Sequence, residues 1–238
     1  MVIALSTQNV RAEEKKVCRA LSLKGGGSKG AYEVGVFKGL LENLDPKEVE
    51  YDVVVGASIG AFNAAQIALF APGDEKSALA YLEEYWLDHS IQDYWEFWGT
   101  SFLAGFYKTS FLDDSKLLEM LHQRFDHRDF KRELSYHAVD IKTGAVVIFN
   151  EKVPIEYRAL SLKASGSIPG FAPPAQIGSF TLVDGGVYDS LDLSEAILKC
   201  QNKGFKDEDI VIDIVLCFGT PVKVEEWLMK QTKLLSTF

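Results

Sequence analysis

The sequence predicts an α/β fold, on three observations. Residues 17–75 read strand–helix–strand–helix with short connections, a succession that requires parallel strands covered by helices. Both strand-to-helix joints are rich in small residues, GGGSKG and GASIG. Further strands return late in the chain, at FTLV and at 210–217, with a helix near 193–200 between them.

Taken in order, VCRALSL (17–23) is the first strand. A helix follows GGGSKG to about Asn43, with Phe37, Leu40, Leu41 and Leu44 at i, i+3, i+4 and i+7 on one face. YDVVV (51–55) is a β-branched strand ending at GASIG, and an Ala-rich helix runs from about Ser58 to Phe70. Residues 75–130 are helical in pattern, with Leu117, Leu118, Leu121 and Phe125 on one face. Two strands at about 134–141 and 145–149 are joined through Lys142-Thr143-Gly144 as a hairpin. Pro154 opens a helix near its first position, and the Gly/Pro/Ser-rich stretch 164–179 reads as an extended loop. A terminal helix follows the last strand, with Leu228, Leu234 and Leu235 as a packing stripe.

The 238 residues suit one domain, 1–238, with an aromatic-rich helical cap inserted at about 75–130. A hydrophobic share of 47% excludes a disordered chain. The net charge of −9, with no Lys/Arg-dense run, argues against nucleic acid as a partner. Cys18, Cys200 and Cys217 are too few and too scattered for a disulfide framework or a zinc site, and fit a reducing compartment. Cys217 lies in an apolar run and reads as a small hydrophobe. The N-terminus lacks the apolar centre of a secretory signal. Val53–Gly73 carries no charge, but its Gly, Ser, Asn and Gln residues favour a strand, a turn and a buried helix over a membrane span. The expected location is cytoplasmic or peripheral to a membrane.

Gly56-Ala57-Ser58-Ile59-Gly60 is a G-x-S-x-G between a strand and a helix. Such a turn exposes a serine hydroxyl above the sheet edge, small flanking residues permit it, and the helix N-terminus faces developing negative charge. The competing role for Ser58 is a capping serine in a structural turn. As a nucleophile it needs a base. His89, His122, His127 and His137 all precede position 138, so the Ser–acid–His order of an α/β-hydrolase cannot be met with Asp184 as the acid. Surface or hairpin positions suit these histidines better. Asp184, between FTLV and Gly185-Gly186, is a carboxylate at a strand end that would take the proton directly; alone, D-G-G also reads as a turn.

Gly25-Gly26-Gly27-Ser28-Lys29-Gly30 directs backbone N–H groups at an anion. As an oxyanion hole it would serve Ser58. As a dinucleotide loop, Gly25, Gly27 and Gly30 match G-x-G-x-x-G, but the acidic residue at the right distance, Asp52, begins the second strand instead of ending it. No G-K-[ST] is present for a P-loop.

With LSLKGGGSKGAYEVGVFKGLLE, VVVGASIGAFNAA and ASGSIPGFAPPAQIGSFTLVDGG in this order, the chain resembles the patatin-like phospholipase family over about residues 19–220. The resemblance implies a three-layer α/β/α sandwich with a mainly parallel central sheet and an acyl-ester hydrolase of lipids. It makes Ser58 the nucleophile and Asp184 its partner in a histidine-free dyad, with an oxyanion hole from the Gly26, Gly27 and Ser28 N–H groups. It implies an acyl-enzyme, and neither metal nor organic cofactor. The expected partners are a lipid substrate and, transiently, a membrane surface; no activating partner is readable from the sequence.

The chain departs from the family at Lys29, where many relatives carry Arg, and after D-G-G, where Val187-Tyr188-Asp189-Ser190-Leu191-Asp192 replaces the usual Asn-Pro pair. Asp189 and Asp192 would raise the pKa of Asp184 if they lay beside it. No C-terminal extension of the kind some relatives carry is expected after the segment matching Thr220. The aromatics from Trp86 to Phe111, including Tyr94, Trp95, Phe97, Trp98, Phe102, Phe106 and Tyr107, either line an acyl channel at the lipid interface or complete a core layer. Two rival functions remain: a soluble esterase or thioesterase with the same dyad, and a catalytically impaired lipid-binding protein.

Overall fold

The computed structural model describes residues 17–89, 93–94, 96–97 and 110–217. The expectations for the N-terminus, for the terminal helix with its leucine stripe, and for Trp95, Trp98, Phe102, Phe106 and Tyr107 fall outside these residues.

In chain order the elements are β1 (Cys18–Leu23), α1 (Gly30–Asn43), β2 (Val53–Gly56), α2 (Ile59–Ala68), α3 (Glu75–Asp88), β3 (Glu96–Phe97), β4 (Leu112–Asp113) and α4 (Ser115–Phe125). There follow β5 (Glu133–Asp140), β6 (Val146–Asn150), α5 (Ile155–Ser165), β7 (Ala175–Ile177), β8 (Phe180–Asp184), α6 (Leu193–Asn202) and β9 (Ile210–Val215). Seven strands form one sheet in the order β7-β8-β5-β2-β1-β9, with β6 also paired to β5. The β9-β1-β2-β5 half is parallel, whereas β6, β8 and β7 join antiparallel.

Side-chain alternation along β1 and β2 builds the layers. Leu21, Leu23 and Val54 enter the main core with Phe37 of α1, Phe62 of α2 and Leu82 of α3. Cys18, Ala20, Val53 and Val55 point to the opposite face, against Ala196 and Cys200 of α6. Helices on both faces of the sheet give the three-layer α/β/α arrangement. The uncharged stretch from Val53 is a buried strand followed by a ten-residue helix, and no helix of the described residues is long and apolar enough to cross a membrane.

Strand registers bring two chain ends together. β2 runs parallel to β5 and stops at Gly56, opposite Tyr136. β8 runs antiparallel to β5 and stops at Asp184, opposite Ala138. The β6 register on β5, Ser135–Val139, overlaps both, so β6 occupies one edge of β5, and β2 and β8 share the other. Along that shared edge the carboxyl ends of β2 and β8 meet head to head, with only His137 between their partners.

Three sequence expectations need correction. The stretch 164–179 is not all loop: Ala175–Ile177 pairs with Phe180–Leu182, because a three-residue strand is too short to show alternation. Residues 75–130 are not purely helical, since Glu96–Phe97 and Leu112–Asp113 form a two-stranded ribbon. Cys18 and Cys200, 182 residues apart, form a disulfide. Cys18 faces α6, which crosses β1 at Cys200, and the Cα atoms lie 5.8 Å apart, within bonding reach. Cysteine usage therefore gives no support to a reducing compartment.

Candidate active site

Ser58 stands between β2 and α2 with φ of 56°, one of two non-glycine residues at positive φ among those described. Holding a serine there costs of order 1–3 kcal/mol, and the packing on either side enforces it. A Cβ on Gly60 would lie 2.1 Å from the Leu23 carbonyl oxygen, and one on Gly56 would lie 2.4 Å from the Gly60 backbone. Only glycines let the elbow sit this close to β1. The Ser58 N–H donates to Ser165 Oγ at 3.1 Å, and Ser58 Oγ–H donates to Asp184 Oδ2 at 2.7 Å. Ser165 was not singled out from sequence, although it belongs to the ASGS segment that leads toward D-G-G.

Asp184 ends β8, buried, and its other oxygen Oδ1 accepts the Gly186 N–H at 2.6 Å. Its backbone N–H donates to the Ser167 carbonyl at 2.9 Å. Burial raises its pKa above the ordinary carboxylate value; the Ser58 and Gly186 hydrogen bonds and the charge of His137 oppose that rise. Asp189 and Asp192 do not cause the rise. Asp189 accepts the Leu191 N–H at 3.1 Å, and Asp192 faces His137 Nδ1 at 3.5 Å and accepts from Ser135 at 3.3 Å.

The glycine loop lies over the elbow, with a Cβ on Gly25 only 3.1 Å from Ser58 Cβ. The Gly25 N–H is occupied by the Ser190 carbonyl at 3.0 Å. Those of Gly26, Gly27 and Ser28 have no acceptor among the described residues. Lys29 closes the 3-10 turn Gly27–Lys29, and Gly30 begins α1. Asp52 sits at the far end of β2, where it accepts the Arg19 N–H at 3.2 Å and pairs with Lys203 at 3.0 Å. It cannot reach a nucleotide ribose on this loop, so the dinucleotide alternative fails on geometry.

A buried polar cluster under the loop escaped the sequence reading. Glu33 of α1 is 1% exposed; its Oε1 accepts Cys217 Sγ–H at 3.0 Å and its Oε2 accepts Asn63 Nδ2–H at 2.8 Å. Trp86 Nε1–H donates to Asn63 Oδ1 at 3.0 Å and fixes the amide orientation. Burial raises Glu33 to about 7, against the lowering effect of those two bonds. Cys217 is therefore a hydrogen-bonded partner and more than a hydrophobe, also 3.3 Å from the Lys24 carbonyl that leads into the loop.

A cavity of about 380 Å³ opens beside Ser58 and Gly27, walled by Phe62, Tyr85, Trp86, Leu117, Leu121 and Leu162. Tyr85, Trp86 and Tyr94 both line the cavity and pack against the core. Phe111 is 61% exposed, and its N–H donates to the Gly170 carbonyl beside the exposed, cavity-lining Phe171. Lys163 contributes a charge to the wall but is held by the Pro173 carbonyl at 2.7 Å and Asp114 at 2.8 Å. Among the described residues no group of three or more His, Cys, Asp or Glu is arranged to hold a metal ion. His89 lines the cavity, His122 bonds Asp126, and His127 is exposed. His137 is neither at the surface nor in the hairpin turn: it is 2% exposed.

The family profile described as "Patatin-like phospholipase" matches residues 21–197, a span that holds the glycine loop, the elbow and D-G-G together. The chain belongs to this family. A lipid acyl hydrolase is what membership supports. Among curated relatives, the cUMP-AMP-activated phospholipase of Escherichia coli is 45% identical over 64 residues, which are 26% of this chain and 20% of that protein. Among solved structures, VipD from Legionella pneumophila aligns with a TM-score of 0.47 at 15% identity, over 89% of this chain and 52% of VipD. The chain thus matches a fifth of the one relative and about half of the other.

Proposed function

We propose that this patatin-like chain cleaves acyl esters of phospholipids or lysophospholipids through a Ser58–Asp184 dyad and an acyl-enzyme. The observation that carries the reading is the 2.7 Å hydrogen bond from Ser58 Oγ to the buried Asp184 carboxylate, at a strained elbow facing both free backbone donors and an apolar cavity.

In the first half-reaction Ser58 Oγ attacks the ester carbonyl while its proton passes to Asp184 Oδ2. The oxyanion forms beneath the Gly26, Gly27 and Ser28 N–H groups; one such donor is commonly worth about 10²–10³ in kcat. Collapse expels the lipid alcohol, which takes the proton from Asp184, and leaves the acyl group on Ser58. Water, deprotonated by Asp184, then attacks the acyl-enzyme through the same oxyanion site. The second proton returns to Ser58, and a fatty acid leaves.

The cavity lies near the lower end of the roughly 300–1,000 Å³ typical of ligand pockets, which favours one acyl chain over a whole diacyl lipid. Exposed Phe111, Ile168 and Phe171 near its mouth favour a bilayer or micelle as the source of substrate. The test is fatty-acid release from phospholipid, lysophospholipid and a short-chain ester, comparing wild type with Ser58→Ala. The name of the Escherichia coli relative makes cUMP-AMP the activator to include. Serine-dependent release from a phospholipid supports the reading. Cleavage of the short ester alone points to an esterase, and no cleavage in any arm points to a lipid-binding protein.

A further inference from the structure

We propose that His137 is a positioning residue for the dyad: held as an imidazolium between the D-G-G turn and the start of α6, it fixes the segment that carries Asp184 and supplies that carboxylate with a positive charge. The inference rests on the Ser58–Asp184 reading.

His137 is the β5 residue left between the partner of Gly56 and the partner of Asp184, in the gap where two strand ends converge. Gly185 lies so close that a Cβ there would come within 2.4 Å of the His137 carbonyl oxygen. The ring then faces acceptors on both sides. Nε2 is 3.2 Å from the Gly185 carbonyl oxygen and 3.0 Å from that of Asp189, and Nδ1 is 3.5 Å from Asp192 Oδ2. A neutral imidazole donates from one nitrogen only and would turn the lone pair of the other toward an oxygen. Only the doubly protonated ring satisfies both sides.

The charges around the ring agree. Asp192 at the start of α6, Glu195 on α6 and Asp184 at the end of β8 all act on it, with Tyr188 edge-on at 6.5 Å. β2 and β6 bring no charged side chain to this region. Burial alone would push the imidazole down, but the Asp192 interaction and the two carbonyls outweigh it, and the pKa lies above the ordinary histidine value. Asp192 takes φ of 49°, so its carboxylate is held toward the ring at some backbone cost. A group with a raised folded-state pKa contributes stability below the ordinary value and loses it as pH rises through the folded one. The segment is therefore held firmly below the ordinary histidine value and loosens as pH rises through the raised one.

Two measurements test this. The first is an NMR titration of resting wild-type protein, with His137 assigned by exclusion after His89→Gln, His122→Gln and His127→Gln. A pKa above 6.5 is expected, and one at or below 6.5 overturns the proposal. The second is the pH profile of kcat/KM for His137→Gln, which keeps a donor but no charge. Its acid limb should move up by about 1 pH unit, the lower end of what a nearby opposite charge does, with KM unchanged. Coincident limbs in a folded variant overturn the proposal, and if the variant fails to fold the titration alone decides. If Ser58→Ala retains full turnover, the dyad reading falls, while the titration still reports on the imidazolium.

Discussion

Replacing Glu33 with glutamine should make the protein more stable at neutral and alkaline pH, by an amount the structure bounds. Glu33 keeps its proton in the folded state to about pH 7, against an ordinary 4.5. At 1.36 kcal/mol per tenfold change in proton affinity, that difference is roughly 3 kcal/mol. The direction is set by linkage: between the two values the folded state binds more protons than the unfolded one, so wild-type stability falls as pH rises. The Glu33→Gln side chain mimics the protonated acid. Its oxygen can accept from Asn63 and its NH2 can face Cys217 Sγ, while the thiol turns to the Lys24 carbonyl 3.3 Å away. The assay is urea unfolding of both proteins from about pH 5 to about pH 9, followed by tryptophan fluorescence. The stability difference, variant minus wild type, should rise across roughly pH 4.5–7 and level off above it. Parallel curves would refute the reasoning, because they would mean that Glu33 ionises in the fold as easily as in the unfolded chain.

Asp184→Asn should cut turnover by roughly 10²–10⁴, the usual worth of a positioned base, without lowering the melting temperature; near-normal rates would remove Asp184 from the mechanism. Since burial raises Asp184, the acid limb of wild-type activity should lie above pH 3.8, activity being lost as pH falls through it. Each methylene added to a monoacyl substrate should raise kcat/KM roughly fourfold, from about 0.8 kcal/mol of burial, until the cavity is full. Leu121→Trp should move that plateau to shorter chains, and a flat chain-length profile in wild type would contradict acyl binding there. Cys200→Ser, or reduction with dithiothreitol, should destabilise the fold by up to roughly 5 kcal/mol in the chain-entropy account of a 182-residue loop, read as a lower urea midpoint.

The parts of the site legible in the sequence were those whose chemistry is local. The elbow needs a strand, two glycines and a helix within a few residues, and Gly56-Ala57-Ser58-Ile59-Gly60 displays them in a row. The glycine loop and D-G-G are equally compact. What stayed hidden depends on strand register and on which face of the sheet a residue occupies. Cys18 meets Cys200 only because α6 crosses β1 at that point. His137 looks like any strand histidine until β2 and β8 are seen to end on either side of its neighbours. Glu33, in a helix whose apolar residues carry the periodic signal, reads as a solvent-facing charge; its burial follows from Asn63 and Cys217, which lie 30 and 184 residues away. Ala175–Ile177 was lost for a different reason: three residues among prolines and glycines carry no period at all.

The head-to-head meeting of β2 and β8 also bears on the order in which the site is assembled during synthesis. Ser58 and Asp184 are separated by 126 residues, and at a synthesis rate of about 5–20 residues per second roughly 6–25 s pass between their arrivals. Until β8 is made, half of the shared edge of β5 is empty and Ser58 Oγ lacks the Asp184 carboxylate that it bonds in the fold. The glycine loop is not braced either, since the carbonyls of Ser190 and Val215 that hold Gly25 and Lys24, and the thiol of Cys217 beneath it, come later still. The paired strand ends are thus among the last features of the fold to be completed, and a chain cut before β8 lacks them.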